Sequence, residues 1–346
     1  MKIISIVGAR PQFVKAGPVS RALRATGFEE VLVHTGQHFD ASMSQIFFEE
    51  LEIPEPDYNL EVHGLSHGAM TGRMLERIEE VLKAESPAAV LIYGDTNSTL
   101  AGAIAAAKLH IPIAHVEAGL RSYNRRMPEE QNRVVADHLS TWLLCPTGTA
   151  VENLRREGIV QGVELIGDVM YDTVLAARER AKENSAILDR LNLQPGQYAV
   201  ATIHRAENTD DPERFSRVMS YVEDQAGALP VVIPVHPRTQ SLLNARSFKP
   251  ASIICTEPLG YIDMTWLVAN SALVLTDSGG LQKEAYFHRV PCITLRDETE
   301  WVETLQAGWN RLWTSDAYAS ERADIPDYGN GDSAERIARL LSHSLF

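Results

Sequence analysis

Short apolar runs rich in valine and isoleucine recur along the chain, and a segment with helical periodicity follows each of them. A first series comprises residues 3–7, 31–34, 90–93, 113–116 and 143–145. A second series comprises residues 198–203, 231–235, 253–255, 273–275 and 292–295. Buried strands that alternate with helices are typical of a parallel sheet covered on both faces. The sequence therefore predicts an α/β protein with two such sheets.

The length of 346 residues also indicates two domains, because a single hydrophobic core rarely extends over so long a chain. We place the boundary after the apolar run at residues 163–166. This gives an N-terminal domain of residues 1–167 and a C-terminal domain of residues 168–332. The amphipathic pattern at residues 333–346 predicts a helix that packs back on the first domain. The cleft between the two domains is the expected ligand site.

The formal net charge of −14 argues against a nucleic-acid or anionic-membrane surface, since both need a basic face. The N-terminal apolar run is short and predicts a first strand instead of a signal peptide, so a cytoplasmic protein is expected. The three cysteines, Cys145, Cys255 and Cys292, are widely spaced in apolar segments. Their number and spacing favour small core residues over disulfides or a zinc site, and we expect no metal.

One strand of the second series runs into the sequence TDSGGLQKEA at residues 276–285. The two glycines precede a helix, whose first backbone N–H groups are then exposed to a ligand. This favours an anion site at Ser278, Gly279 and Gly280. No GxGxxG motif follows the first strand and no P-loop motif occurs in the chain, so a nicotinamide enzyme is not indicated.

Two cations, Arg10 and Lys15, follow the first strand and occupy the start of the next helix. Cations normally avoid the positive end of a helix unless an anion compensates them. Ordinary charges at a helix start are the alternative interpretation, and we favour phosphate ligands.

Carboxylates end two strands of the first series. Asp95 and Glu117 come directly after residues 89–93 and 113–116, and Glu129 lies in the first turn of a later helix. A carboxylate at the end of a buried strand needs partners, whereas Glu129 is also explained by the preference for acidic residues in a first helical turn. Clustered carboxylates supply general acids and bases. The three residues predict proton abstraction from carbon.

Histidine and arginine follow two strands of the second series. His204 and Arg205 come after residues 198–203, where either side chain is placed to stabilise a leaving phosphate. A lone histidine is more often structural than catalytic, but the neighbouring Arg205 makes the two roles about equally expected for His204. His236 and Arg238 form a similar pair with only their position in its favour, and we interpret that pair as structural or peripheral.

Seven motifs together resemble those of the non-hydrolysing UDP-N-acetylglucosamine 2-epimerases. They are GARP at 8–11, TGQH at 35–38, GDT at 94–96, HVEAGLR at 115–121, PEEQNR at 128–133, HRAEN at 204–208 and TDSGGLQKEA at 276–285. The resemblance implies two Rossmann-like domains in the GT-B arrangement, a homodimer and no redox cofactor. It also implies anti elimination of UDP across C1 and C2 of a sugar, then re-addition of UDP with the proton returned to the other face of C2.

The resemblance further implies a role for each candidate site residue. The acid and base residues, with the histidine that assists departure and return of UDP, are Asp95, Glu117, Glu129 and His204. The cations that bind the diphosphate or the sugar are Arg10, Lys15, Arg133 and Arg205. The residues that hold UDP are Ser278, Gly279 and Gly280 through their amides and Glu284 through the ribose hydroxyls. Which carboxylate takes the proton stays open.

The C-terminal motifs resemble one branch of the family more closely. Residues 284–287, 290–303 and 308–310 are similar to the enzymes that act on UDP-2,3-diacetamido-2,3-dideoxy-D-glucuronate. That sugar carries a carboxylate at C5, so the resemblance implies one more cation in the site. The candidates are Arg121, Arg125, Arg126 and Arg205. A glutamine-rich segment found in allosterically activated relatives is replaced by residues 63–70, so no second UDP-sugar site is expected.

Four other functions compete with this one. UDP-N-acetylglucosamine is the alternative substrate within the family. A hydrolysing 2-epimerase would use the same fold and similar carboxylates but release free UDP and free sugar. A GT-B glycosyltransferase would need an acceptor groove and a more basic surface, which the charge of −14 disfavours. A binding module would gain nothing from three converging carboxylates.

Overall fold

The computed structural model describes residues 1–37, 50, 51, 53–235, 239, 242 and 253–345. The chain divides into two compact units. The first comprises Met1–Leu175 and Pro326–Phe346, and the second comprises Ala176–Ile325. Three residues of the sequence motifs, His38, His236 and Arg238, lie outside the described residues.

A seven-stranded parallel sheet forms the centre of the first unit, with the strand order β3-β2-β1-β4-β5-β6-β7. Its strands are β1 (Lys2–Val7), β2 (Glu29–His34), β3 (Tyr58–Asn59), β4 (Ala89–Tyr93), β5 (Ile113–Val116), β6 (Trp142–Cys145) and β7 (Val163–Leu165). Because β4 lies between β1 and β5, the turns that follow these three strands meet at one edge of the sheet. The strand order reverses beside β1, which is where ligands bind in open α/β sheets.

Seven helices accompany this sheet among the residues that the structure describes. They are α1 (Arg10–Ala25), α2 (His67–Glu85), α3 (Asn97–Lys108), α4 (Pro128–Leu139), α5 (Gly148–Arg156), the first part of α6 (Val169–Asn184) and, near the C-terminus, α13 (Ser333–Leu345). Thr96 caps the start of helix α3, because its hydroxyl accepts a hydrogen bond from the Thr99 amide. Small side chains let this helix approach the sheet closely. A Cβ atom at Gly102 would lie only 2.9 Å from Cδ1 of Ile6.

The second unit contains a six-stranded parallel sheet with the order β10-β9-β8-β11-β12-β13. Its strands are β8 (Ala199–Thr202), β9 (Val231–Pro234), β10 (Ile253–Thr256), β11 (Leu273–Thr276), β12 (Cys292–Thr294) and β13 (Asn310–Leu312). Its described helices are the rest of α6, α7 (Ile187–Arg190), α8 (Ala206–Thr209), α9 (Pro212–Ala226), α10 (Tyr261–Ala269), α11 (Gly279–Phe287) and α12 (Val302–Gln306). The predicted α/β class with two Rossmann-like domains is confirmed.

One of the three cysteine predictions is wrong. Cys145 and Cys292 are buried in central strands, but Cys255 is exposed. Cys255 lies on β10, which is the edge strand of its sheet. An edge strand has a neighbour on one side only, so an apolar pattern there does not guarantee burial.

The two units divide inside α6, not at residue 167 where the sequence analysis placed the boundary. The start of α6 contacts the first unit, since the Thr173 hydroxyl donates a hydrogen bond to the Val14 carbonyl. The Asp168 amide likewise donates to the Tyr328 carbonyl. Helix α13 packs against α1 of the first unit. The boundary could not be predicted from the sequence, because helical periodicity continues unchanged where a helix passes from one unit to the next.

Asp172 holds the start of α13. Its Oδ1 atom accepts a hydrogen bond of 2.9 Å from the Ala334 amide. Burial raises the pKa of Asp172 to about 6, against the opposing hydrogen bonds from the Ser333 and Ala334 amides. An acid whose pKa is raised by folding binds its proton more tightly in the native state. The contribution of Asp172 to stability is therefore greatest below the unfolded pKa of about 4 and is lost as the pH rises through about 6.

We expect Asp172→Asn to increase the free energy of unfolding at pH 7.5 relative to wild type, on the order of 1 to 2 kcal/mol, because the amide carries no buried charge. The increase should disappear at pH 4, where the wild-type carboxyl is protonated. Urea denaturation at the two pH values measures both quantities. The exposed Asp189 supplies a control, Asp189→Asn, that should match wild type. Equal stability of Asp172→Asn and wild type at pH 7.5 would contradict the assignment.

Candidate active-site residues in the two units

The end of β5 and the start of α1 are joined by an ion pair in the first unit. The Lys15 ammonium donates to Oε2 of Glu117, and both side chains are about nine-tenths buried. Gly94, at the end of β4, lies beneath them, since a Cβ atom there would stand 3.4 Å from both charged groups. Lys15 was predicted to be a phosphate ligand. In this structure it lies on a predicted catalytic carboxylate.

Glu117 itself has an unusual backbone conformation. Its φ angle is +71°, in the left-handed region that non-glycine residues seldom adopt. The turn is anchored to the next strand because the amides of Glu117 and Ala118 both donate to the Leu144 carbonyl. Strained residues of this kind cluster at functional sites, at a cost of about 1 to 3 kcal/mol each.

Asp95 pairs with Arg133 of α4. Nη2 of Arg133 donates to Oδ2 of Asp95, and its Nη1 donates to Glu130 at 3.0 Å. The neighbouring Asn132 donates to the Asp95 carbonyl at 2.9 Å. The structure therefore brings Asp95 and Arg133 together. It also explains why the motif carries two consecutive glutamates, because the buried Glu130 accepts from the backbone and hydroxyl of Ser122.

Glu129 and Arg10 lie near solvent at helix starts. Glu129 is half-buried in the first turn of α4, and no hydrogen bond or ion pair involves it within the part of the chain that the structure describes. Arg10 is exposed at the first residue of α1. Their side chains are thus more accessible to a ligand than Lys15 or Arg133.

Gln12 is a site residue that the sequence analysis missed. Its Oε1 accepts from the amides of Gly8 and Ala9 at 2.8 and 3.0 Å, and its Nε2 donates to the Tyr93 carbonyl at 2.7 Å. The buried side chain therefore connects the turn after β1 to the turn after β4. It also occupies the two amides of the first turn, so those amides do not form an anion site. A glutamine inside a helical pattern gives no sign of this role.

Arg121 is not available to bind a carboxylate of the substrate. It is 5% exposed and donates to both carboxylate oxygens of Glu157 at 2.7 Å. A third donor, Nη1, bonds to Asp137 at 2.7 Å. Arg125 and Arg126, by contrast, are exposed in the segment between β5 and α4. Burial and pairing remove Arg121 from the four predicted candidates.

In the second unit, Asp277 organises the residues that follow β8. The fully buried carboxylate accepts from the amides of His204 and Arg205 and from Nδ2 of Asn208. Nδ1 of His204 lies 3.1 Å from Oδ1 of Asp277. Burial opposes the charge, yet these partners, with His204 first, hold the pKa of Asp277 below its usual value. Asp277 therefore fixes the orientation of the His204 ring, a function that the sequence analysis did not assign.

The predicted anion site begins α11. Ser278 caps this helix by accepting from the Leu281 amide, and Gly279 and Gly280 form its first turn. A Cβ atom at Gly279 would lie 2.8 Å from Oε1 of Glu300 and 3.9 Å from Nη2 of Arg205. The predicted residues Gly279 and Arg205 are thus neighbours, and the absence of a side chain at Gly279 makes room for the Glu300 carboxylate.

Two further residues of α11 have polar or aromatic partners. Glu284 accepts a hydrogen bond of 3.4 Å from the Tyr261 hydroxyl. Lys283 is 1% exposed, and its ammonium lies 3.8 Å from the ring centroid of Trp301. This is a cation–π contact in a desolvated setting. Lys283 was not among the predicted site residues, because lysine in a helix is usually a solvated charge.

Two kinds of feature are absent from the described residues. They contain no group of three or more histidine, cysteine, aspartate or glutamate side chains arranged to hold a metal ion. Within the same described ranges, every helix is too short or too polar to cross a membrane.

Comparisons with known proteins identify the family. The family model described as UDP-N-acetylglucosamine 2-epimerase matches residues 21–342. UDP-2,3-diacetamido-2,3-dideoxy-D-glucuronate 2-epimerase from Pseudomonas aeruginosa is 49% identical over 99% of each chain. UDP-N-acetylglucosamine 2-epimerase from Methanocaldococcus jannaschii is 41% identical over 100% of each chain. The crystal structure of the Methanocaldococcus jannaschii enzyme with UDP-GlcNAc and UDP has a TM-score of 0.91, covering 99% of this chain and 100% of that one.

The family match spans most of the chain, and both relatives align over nearly their full length. These findings confirm the resemblance that the seven motifs indicated. The chain therefore belongs to the UDP-N-acetylglucosamine 2-epimerase family.

Proposed function

We propose that this protein is a non-hydrolysing UDP-sugar 2-epimerase whose substrate is UDP-2,3-diacetamido-2,3-dideoxy-D-glucuronate. The observation that carries the proposal is the pairing of Asp95 with Arg133 and of Glu117 with Lys15 at one edge of the first sheet. The 49% identity to an enzyme named for that substrate supports the choice of sugar.

The reaction needs two proton carriers and a bound leaving group. A carboxylate takes the proton from C2 while the C1–O bond to UDP breaks, and a C1=C2 double bond forms in the sugar. The UDP oxygen then bonds to C1 again, and a proton donor protonates C2 from the opposite face. Atoms and electrons balance without an oxidant or a reductant. The product differs from the substrate only in the configuration at C2.

The first unit supplies the proton carriers in this proposal. Asp95 and Glu117 follow neighbouring strands, and Glu129 lies at the start of α4. Removal of the proton from one face and its return to the other require two groups, so one carboxylate cannot serve both steps. The three residues are therefore interpreted as the acid and base set. The assignment of base and acid among them stays open.

The second unit supplies the groups that bind UDP. The Gly279 and Gly280 amides face the diphosphate in this proposal, and Arg205 adds a positive charge beside them. The Ser278 amide already donates to the Thr276 hydroxyl at 2.9 Å, so Ser278 contributes by capping the helix. Glu284 would accept from the ribose hydroxyls. His204 is oriented by Asp277 through Nδ1, so its other ring nitrogen is the one that would meet the departing phosphate.

The C5 carboxylate of the proposed substrate needs a cation. Since Arg121 is paired with Glu157 and Asp137, the exposed Arg125 and Arg126 are the better candidates. The segment that carries them is held by Glu130, which accepts from the Tyr123 amide at 2.9 Å. A cation on an anchored segment can discriminate an anionic sugar from a neutral one.

UDP-N-acetylglucosamine is the second candidate substrate. It is favoured by the 41% identity to the Methanocaldococcus jannaschii enzyme of that name and by the TM-score of 0.91 to its complex with UDP-GlcNAc and UDP. We further infer that the protein is a cytoplasmic homodimer that serves cell-surface polysaccharide synthesis, including the lipopolysaccharide O-antigen. Family resemblance is the support for these assignments.

Proton NMR in D2O tests the reaction directly. We expect the protein to introduce deuterium at C2 of UDP-2,3-diacetamido-2,3-dideoxy-D-glucuronate and to produce the manno-configured UDP-sugar. Turnover of UDP-N-acetylglucosamine alone would select the second candidate. Release of free UDP and free sugar would instead identify a hydrolysing enzyme.

Arginine variants test the choice of substrate. We expect Arg125→Gln or Arg126→Gln to lower kcat/KM for the C5 carboxylate substrate by about 10- to 100-fold, because a charge-assisted hydrogen bond is lost. The value for UDP-N-acetylglucosamine should not change. The exposed Arg156 provides a control, Arg156→Gln. An equal decrease in kcat/KM for both substrates would show that these arginines do not bind the C5 carboxylate.

A third test concerns His204. We expect Asp277→Asn to lower kcat by about 10²-fold, because His204 loses the carboxylate that orients and stabilises its charged form. The affinity for UDP, measured by calorimetry, should change far less. Asp297→Asn is a matched control, since Asp297 is exposed in the same unit and pairs with Arg214. An unchanged kcat in Asp277→Asn would remove His204 from the catalytic set.

A further inference from the structure

His115 is fully buried on β5 and uses both of its ring nitrogens. Nε2 lies 2.7 Å from the carbonyl oxygen of Gly94, and Nδ1 lies 2.7 Å from Oδ1 of Asp137. A carbonyl oxygen can only accept, so Nε2 carries a hydrogen. The other ring nitrogen, Nδ1, faces the Asp137 carboxylate.

Asp137 is an ionised carboxylate in this arrangement. Its Oδ2 accepts from the Gly119 amide at 3.1 Å and from Nη1 of Arg121 at 2.7 Å. Although burial opposes the charge, His115 and then Arg121 hold the pKa of Asp137 below its usual value. The Asp137 carboxylate also lies against Nδ1 of His115, so it holds the ring from the side opposite the Gly94 carbonyl.

The charges beside the ring are paired. Asp137 pairs with Arg121, which also pairs with Glu157. The Cys145 thiol also lies beside Asp137, and because burial raises the pKa of this thiol it adds no charge. Buried charges persist when each has a partner of opposite sign and satisfied hydrogen bonds.

The bonds of this network end on the two turns that carry the predicted catalytic carboxylates. Gly94 directly precedes Asp95, and Glu117 lies midway between His115 and Gly119. Gly94, Glu117 and Gly119 have φ angles of +59°, +71° and +80°. A Cβ atom at Gly119 would lie 2.5 Å from the Ala150 carbonyl oxygen. These turns are strained or crowded, and they need external bonds to hold one conformation.

We propose that His115 is a positioning residue for the epimerase: its ring ties the Gly94 carbonyl to Asp137 and thereby fixes the turns that present Asp95 and Glu117. The inference rests on the proposed function and adds a residue to it. His115 is fully buried and acts through the backbone, so it does not touch the substrate. A displacement of about 1 Å in a catalytic group can cost about 10²-fold in rate.

Three variants test the tie to Gly94. His115→Phe removes both hydrogen bonds, whereas His115→Gln keeps an N–H donor that can reach the Gly94 carbonyl. We expect His115→Phe to lower kcat by about 10²-fold with KM and UDP affinity within about threefold of wild type. His115→Gln should recover about tenfold of that loss. His138, exposed on the same helix as Asp137, supplies the control His138→Gln, which should retain full activity.

Two kinetic outcomes would overturn the proposal. One is a kcat for His115→Phe within about twofold of wild type. The other is equal kcat values for His115→Phe and His115→Gln, because a merely structural role would not distinguish a donor from an apolar ring. Should His115→Phe fail to fold, the comparison of His115→Gln with wild type keeps the kcat and KM test in force.

Nitrogen NMR of histidine-labelled protein tests the bond to Gly94 without any substrate. We expect one histidine to show an Nε2 proton that exchanges slowly with solvent, because it is buried and hydrogen-bonded, and this signal should disappear in His115→Gln. Absence of a protected Nε2 proton in the wild-type protein would refute the tie to Gly94. Failure of the wild-type protein to epimerise either UDP-sugar would refute the proposed function instead, while the NMR result would still report on the network.

Discussion

The turns at the carboxyl edges of both sheets depend on hydrogen bonds between their backbone groups and buried side chains. In the first unit Gln12 accepts from the Gly8 and Ala9 amides and donates to the Tyr93 carbonyl. In the second unit Asp277 accepts from the His204 amide. Backbone groups left unpaired in buried turns are costly, so each side chain fixes one turn conformation. The functional side chains on those turns are positioned by the same bonds.

Ion pairs also explain how buried cations are tolerated at the carboxyl edge of the first sheet. Lys15 is 6% exposed and Arg133 is 3% exposed, and a buried cation without a partner is strongly destabilising. Glu117 and Asp95 provide those partners. The predicted phosphate ligands and the predicted proton carriers are therefore parts of the same ion pairs. Removal of one member of a pair would leave the other as an uncompensated charge, so single substitutions here change more than one function.

The fold and the site could be predicted from the sequence where a pattern has one physical interpretation. Valine- and isoleucine-rich runs predicted both parallel sheets, and the strand ends placed Asp95 and Glu117 at one edge. The sequence was insufficient where long-range pairing decides the outcome. Nothing near Arg121 indicates that Asp137 and Glu157 bury it, and nothing near Cys255 indicates that its strand lies at the sheet edge. The unit boundary inside α6 was missed because helical periodicity is continuous across it.

Hydrogen bonds to buried side chains hold the strand ends rigidly, and rigid strand ends suit a reaction that consists of proton transfers without a redox step. Proton transfer to and from carbon depends on the distance between a carboxylate and its target, and a turn fixed on both sides loses little conformational freedom when the substrate binds. The left-handed conformation of Glu117 can persist because bonds to β6 and to the Asp137 network surround it. A strained carboxylate turn is thus a consequence of the buried polar contacts beneath it, and those contacts set how closely the proton carriers are held in place.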